Sequence, residues 1–341
     1  MSAAPAPALG ELAPRTVGLQ GQLAYDALRV FVNCQRERRL NKVRERKQAA
    51  RKATGLLAAG GLRPMIDEGQ SLAIRVDGSV ACWGDNGNGQ APPAGVPGNF
   101  VAIAAGNAHS LALRVDGSVA CWGDNFNGQA PPAGVPGNFV AIAAGFAHSL
   151  ALRVDGSIAC WGDNDRGQAP PAGVPGNFVA IAAGAAHSLA LRVDGSVACW
   201  GANGNGPAPP AGVPGDFVAI AAGFAHSLAL RVDGSIACWG ANTYGQAPPD
   251  GVPGNFVAIA AGARHSLALR VDGSIACWGY NGNGQAPPDG VPGNFVAIAA
   301  GFAHSLALRR DGSVACWGRN REGQAPPDGV SGPFRVTQAE L

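Results

Sequence analysis

The sequence predicts an all-β fold: a seven-bladed β-propeller of 39-residue repeats with three-stranded blades, closed by a C-terminal strand and preceded by a basic, helical arm. Trp83, Trp122, Trp161, Trp200, Trp239, Trp278 and Trp317 stand 39 residues apart and account for every Trp in the chain. Each repeat contains three short runs of strand character. A further copy of the first run follows the seventh Trp. A period of this kind overrides the two-domain expectation that 341 residues would otherwise carry.

Phe100 to Asn138 gives the repeat in full: FVAIAAGNAHSLALRVDGSVACWGDNFNGQAPPAGVPGN. Phe100 to Ala105 is a short β-branched and Ala-rich run. Ser110 to Val115 alternates, with Leu111, Leu113 and Val115 on one face, and Ser118 to Trp122 is a third short run. Asp116-Gly117 joins the second and third runs as a two-residue hairpin turn. Gly123 to Asn138 holds three Pro and four Gly and cannot form a central strand. Apolar side chains on both faces of such a sheet require cover from neighbouring copies.

The chain end selects a ring over an open solenoid. Phe334-Arg335-Val336-Thr337-Gln338 is in register with Phe295 to Ala299, whereas the corresponding first run at the front, Gly61 to Met65, contains Gly and Pro. The last strand is therefore expected to complete the first blade, which removes the open sheet edges. The domain boundary falls at residue 60: an arm over 1–60 and a propeller over 61–341.

Charge divides the same way. Residues 1 to 60 hold 11 Lys/Arg against 4 Asp/Glu, and residues 61 to 341 hold 14 against 19, with no Lys after Lys52. Contact with nucleic acid or acidic lipid would come from residues 36–52 of the arm, where Arg36, Arg38, Arg39, Lys42, Arg44, Arg46 and Lys47 lie in a segment of helix formers. A solvated charged helix, or docking through Leu23, Leu28, Val30 and Phe31, are the other readings of this segment. The N-terminus lacks the apolar core of a secretory signal, and no apolar run reaches the roughly 18 residues a membrane span needs. A soluble, monomeric, intracellular protein of cytoplasm or nucleus is expected.

The motif G-x-x-H-S-L-A-L-x-x-D-G-x-V-x-x-W-G-x-N-x-x-G-Q, in tandem copies over about residues 66 to 338, resembles the repeat of the regulator of chromosome condensation superfamily. The resemblance implies a seven-bladed propeller. The short repeat is most similar to the β-lactamase inhibitory protein II form, which implies tight protein binding through aromatic residues in loops on one face. The exchange-factor branch of the superfamily has longer repeats and a protruding insertion, which this chain lacks, so guanine-nucleotide exchange on, or regulation of, a small GTPase, with the basic arm directed to chromatin or the nucleus, is the alternative expectation.

Several residue patterns could carry chemistry. His109, His148, His187, His226, His265 and His304 recur at the repeat interval, with Gln70 in the seventh position. Equivalent positions around a ring lie too far apart to share a tetrahedral ion, so a structural, hydrogen-bonded role is expected and no metal. Cys82, Cys121, Cys160, Cys199, Cys238, Cys277 and Cys316 precede the Trp residues and are expected to be buried free thiols, a pattern suited to a reducing compartment; Cys34 lies in the arm. Asp85 to Gly89 lacks the alternating acidic ligands of a calcium loop, and position 85 becomes Ala202, Ala241, Tyr280 or Arg319 in other copies. No arrangement of nucleophile, base and oxyanion donors occurs. The expectation is a non-catalytic chain without cofactors.

Because the copies are almost identical, the residues that differ are informative. They fall in two places: after Ala-Ala-Gly of the first strand, where Phe146, Phe224, Arg264 and Phe302 occur, and after Trp-Gly-x-Asn, where Phe126 and Tyr244 occur. Alternating strand direction puts both places at one end of every blade. Aromatic and Arg residues on an otherwise Ala/Gly surface have the composition of binding hot spots. Phe126, Phe146, Phe224, Tyr244, Arg264 and Phe302 are therefore the expected surface for a protein partner.

Overall fold

The repeat unit folds as its alternation dictates. In the computed structural model, which describes residues 55–61 and 69–336, Phe100–Ala105, His109–Arg114 and Val119–Gly123 form one antiparallel three-stranded sheet. Six such sheets recur at 39-residue intervals, ending at Val314–Gly318, and with Leu57–Ala59, Gln70–Ile74 and Val80–Gly84 they make seven blades, numbered here 1 to 7 in chain order. No helix occurs among the described residues. The arm expected over residues 1–60 lies outside them as far as residue 54.

First strands of successive blades touch one another from blade 1 through blade 7 and back to blade 1, so they line the axis of a closed ring and the third strands lie at the rim. Each hydrophobic core sits between two blades. Leu72, Ile74, Val80 and Cys82 of blade 1 pack with Phe100, Ile103, Ala112 and Ala120 of blade 2, and the pattern continues around the ring. The seventh core joins Leu306, Leu308 and Val314 of blade 7 to Leu57, Ala73 and Ala81 of blade 1.

Two local features differ from the sequence expectation. The hairpin loop is one residue longer: Arg114 N–H bonds Ser118 O, Gly117 N–H bonds Arg114 O, and only Gly117, at φ 81°, has the left-handed conformation. This is a type I turn closed by a glycine bulge, and Asp116 serves it through its side chain, which accepts from the Ser118 N–H and Oγ–H at 2.8 and 2.6 Å. Those bonds hold the Asp116 carboxyl below its ordinary range. The long loop is not wholly outside the sheet either, since Val135 exchanges two hydrogen bonds with Val119 in a one-residue bridge repeated in every blade.

The seam of the ring is a composite. Phe334 bridges Arg75, and Arg335 N–H donates to Ile74 O at 2.9 Å, as the C-terminal register predicts. The rest of that strand is not C-terminal: Leu57, Ala58 and Ala59 pair with Ala73, Leu72 and Ser71. Leu56-Leu57-Ala58-Ala59-Gly60 is thus the first-strand copy that Gly61 to Met65 fails to supply. Seven residues, 62–68, stand between Gly61 and Gly69, where the other repeats have none, and they displace this copy from the 39-residue register. The propeller therefore begins before the boundary expected at residue 60.

Candidate functional site: the variable face

The turn after each first strand and the loop after each third strand are tied together. Asp124 N–H donates to Ala108 O at 2.8 Å, Ala202 N–H to Ala186 O at 2.7 Å and Tyr280 N–H to Arg264 O at 2.8 Å. Both variable places accordingly lie on one face of the ring. The loops bearing them are braced internally: Asn125 Oδ1 accepts from Ala130 N–H at 2.9 Å, and Gln129 Oε1 accepts from Asn127 N–H at 2.9 Å. Asp85 is absorbed by the same bracing, accepting from Gly87 N–H at 3.0 Å and from the Gln90 side-chain amide. The Asn brace recurs in all seven loops and the Gln brace in every loop but that of blade 4, where Pro207 stands, so what varies most is the tip.

The six residues singled out from sequence are placed unequally on this face. Phe126 is 92% exposed at the tip of the blade 2 loop. Phe146, Phe224 and Phe302, on the turns after the first strands, are half-buried rather than exposed. Tyr244 is 41% exposed, and the half-buried Arg264 holds its guanidinium 5.1 Å from the Tyr244 ring centroid. Tyr280, which is not among those six, completes this cluster edge-on to Tyr244 at 5.1 Å. Its signal is present in the sequence, since it is an aromatic at a position that is Asp, Ala or Arg in the other repeats.

Blade 4 carries the opposite feature. Its variable residues are small, and a cleft of about 420 Å³ opens among Ala185, Ala202, Gly204, Pro207, Phe224 and Arg166. Ala185 stands where blades 3, 5 and 7 have Phe, and Gly204 where blade 2 has Phe126.

Beneath the face runs a buried belt. His109 Nε2 meets Ser149 Oγ of the next blade at 3.0 Å, and the contact recurs for His148, His187, His226, His265 and His304. Each Ser hydroxyl gives its one hydrogen to a loop carbonyl, as Ser149 does to Gln129 O, so the imidazole must supply Nε2–H. Nδ1 then carries a lone pair, and at His109, His148, His226 and His265 it is buried with no hydrogen-bond partner. Burial pushes His109 and His304 down to about 4, and burial with neighbouring imidazoles pushes His148, His187, His226 and His265 down to about 3. Gln70 fills the seventh position and donates from Nε2 to Gly106 O and His109 O. Ser188→Ala should leave the His148 Nε2–H buried and unpaired, lowering stability by about 2 kcal/mol in urea unfolding.

The Trp residues act as staples rather than as surface. Trp122 Nε1–H donates to Gln90 O of the preceding blade's loop at 2.8 Å, and all seven indoles make the equivalent bond. The thiols beside them are pushed by burial up to about 12, or about 11 for Cys199, which keeps them protonated. Among the described residues no group of three or more His, Cys, Asp or Glu side chains is arranged to hold a metal, and no helix is long and apolar enough to cross a membrane.

Solved structures with similar folds include the CRINKLY WD40 ectodomain of the Arabidopsis thaliana receptor kinase ACR4, at TM-score 0.64 and 22% identity, covering 81% of this chain and 99% of that one. Prp20p from Saccharomyces cerevisiae, described with its binding properties to Gsp1p and histones, matches at TM-score 0.62 and 22% identity, over 87% of this chain and 89% of its own. Human WBSCR16 matches at TM-score 0.59 and 21% identity, over 74% and 85%. At these identities the likeness is one of fold. No curated protein sequence matches the chain significantly. The sequence model of the regulator of chromosome condensation (RCC1) repeat matches residues 100–129, 139–168, 178–206, 217–246, 256–285 and 295–324, more than half of the chain, one match in each of blades 2 to 7. The chain belongs to the regulator of chromosome condensation repeat family.

Proposed function

We propose that the chain is a non-catalytic protein-binding module whose partner docks on the variable face. One observation carries this reading: seven braced loops repeat almost residue for residue, yet these loops and the first-strand turns beside them, all on one face, diverge into Phe126, Tyr244, Arg264 and Tyr280. Aromatic rings and Arg on a rigid frame supply contact area at small entropic cost, which is the composition of binding anchors. Protonated, buried thiols suit a cytoplasmic or nuclear setting. The arm adds a separate basic segment for nucleic acid or acidic lipid at residues 36–52, outside the described residues.

The test uses the full chain as bait. Partners identified on wild-type protein should be lost with Tyr244→Ala combined with Arg264→Ala and retained by a control carrying Asp116→Asn and Asp194→Asn on the opposite face. Partners that survive the first variant and vanish with the second would place binding on the Asp-Gly turns instead. A second reading, nucleotide exchange on a small GTPase, draws on family membership and on the fold shared with Prp20p. Acceleration of nucleotide release from a Ran-like GTPase at catalytic concentrations of this chain would favour it.

A further inference from the structure

Phe126 and the blade 4 cleft are a projection and a recess on the same face. Phe126 is almost fully exposed, a state that folding alone does not reward. The recess lies where blade 4 substitutes Ala202 and Gly204 for the Asp124 and Phe126 of blade 2, so the two features occupy equivalent loops two blades apart. Blade 3 lies between them, and its tip carries Asp165 and Arg166, both exposed, of opposite charge and adjacent.

A twofold axis in the plane of the face relates these features. Placed through blade 3, it turns a second ring face to face with the first and superposes blade 2 of one copy on blade 4 of the other, in both directions. Phe126 of each copy then stands over Gly204 of the other, at the mouth of the cleft. At the axis itself Asp165 of one copy meets Arg166 of the other, twice. One operation thus satisfies the projection, the recess and both charges, which is the self-complementarity that an isologous contact requires.

We propose that a second copy of this chain is a partner of the variable face, docking by insertion of Phe126 into the blade 4 cleft and by reciprocal Asp165–Arg166 pairing about a twofold axis through blade 3. The proposal rests on the reading that this face binds protein. It replaces the sequence expectation of a monomer with a concentration-dependent dimer in which the two rings cover each other's variable faces.

Sedimentation velocity on the full chain tests it, with dimer expected at concentrations on the order of 10–100 µM. Phe126→Ala should weaken association by about thirtyfold or more, the loss typical of a central aromatic anchor. Gly204→Phe should abolish it by standing a second ring where Phe126 of the other copy lands. That substitution is compatible with the fold, because Gly204 lacks a left-handed φ and a Cβ there meets nothing within 4 Å. Asp165→Arg should weaken association by ~tenfold by facing Arg with Arg, and adding Arg166→Asp should restore it by exchanging the charges across the axis. A wild-type chain that stays monomeric to ~0.5 mM overturns the proposal, and so does a dimer that persists in both Phe126→Ala and Gly204→Phe. Neither result touches the capture of a different partner through Tyr244 and Arg264.

Discussion

Acidification from pH 7.5 to 5 should lower the melting temperature of the propeller by about 15–20 °C, the largest effect expected of any mild change in conditions. The cause is the histidine belt. Six imidazoles are neutral and buried, and their folded-state values are depressed to about 3 or 4 from an ordinary 6.5. Well above pH 6.5 neither state binds protons at these sites and nothing is lost. As the pH falls below 6.5 the unfolded chain takes up protons that the folded chain refuses, so stability declines toward the folded-state values. By pH 5 the unfolded chain gains about 2 kcal/mol per histidine. Six such sites together amount to about 12 kcal/mol, comparable with the whole stability of a domain. Cooperative unfolding should therefore come before the belt titrates in place. Circular dichroism melts across this range measure it. His226→Gln, which copies the natural Gln70 of blade 1, should flatten the dependence by about one sixth. An unchanged melting temperature between pH 7.5 and 5 would show that the imidazoles are not sealed from solvent.

Removing Pro333 to Leu341 should destabilise the ring by about 4 kcal/mol. Phe334 is buried in the core between blades 7 and 1, with its ring centroid 6.3 Å from that of Trp83. Arg335 adds a backbone bond to Ile74 and a guanidinium bond to Phe100 O at 3.1 Å. Deletion strips the Phe334 end of the composite strand while Leu57–Ala59 keep the other end paired, so the ring should loosen at the seam without opening fully. Phe334→Ala should reproduce most of the loss. Urea unfolding with size-exclusion chromatography distinguishes the cases: a lower midpoint with the elution volume of the wild-type chain at the same concentration supports the composite seam, whereas an unaltered midpoint refutes the role of the C-terminus in closure.

Much of this molecule is legible in its sequence because near-identical copies constrain one another. The Trp interval sets the blade count, and the alternation at Ser110 to Val115 locates the central strand of each blade. The front of the first blade escapes that logic for a physical reason. Pairing follows hydrogen-bond register and not numbering, so Leu56 to Gly60 takes the first-strand position despite the seven residues that intervene before Gly69. Sequence predicts the same exposure for Phe146, Phe224 and Phe302 as for Phe126, but burial in a tight turn is set by the assembled ring, which a single repeat does not encode. Tyr280 stands out in sequence as an aromatic at its repeat position, but its contact with Tyr244 crosses between two repeats and is visible only in the fold.

The indole staples have an evolutionary consequence. Each indole grips a main-chain carbonyl of the preceding repeat, so Trp239 is served by Pro207 as well as the other indoles are by Gln. A bond addressed to the backbone is indifferent to the side chain that bears it. Whole repeats can therefore be exchanged by recombination between tandem copies, and the tips can diverge, without disturbing the joints. The number of repeats lacks that freedom: blade 7 must meet blade 1 across a seam shared by both ends of the chain, so duplication or loss of a unit would break the circle even where every individual joint survived.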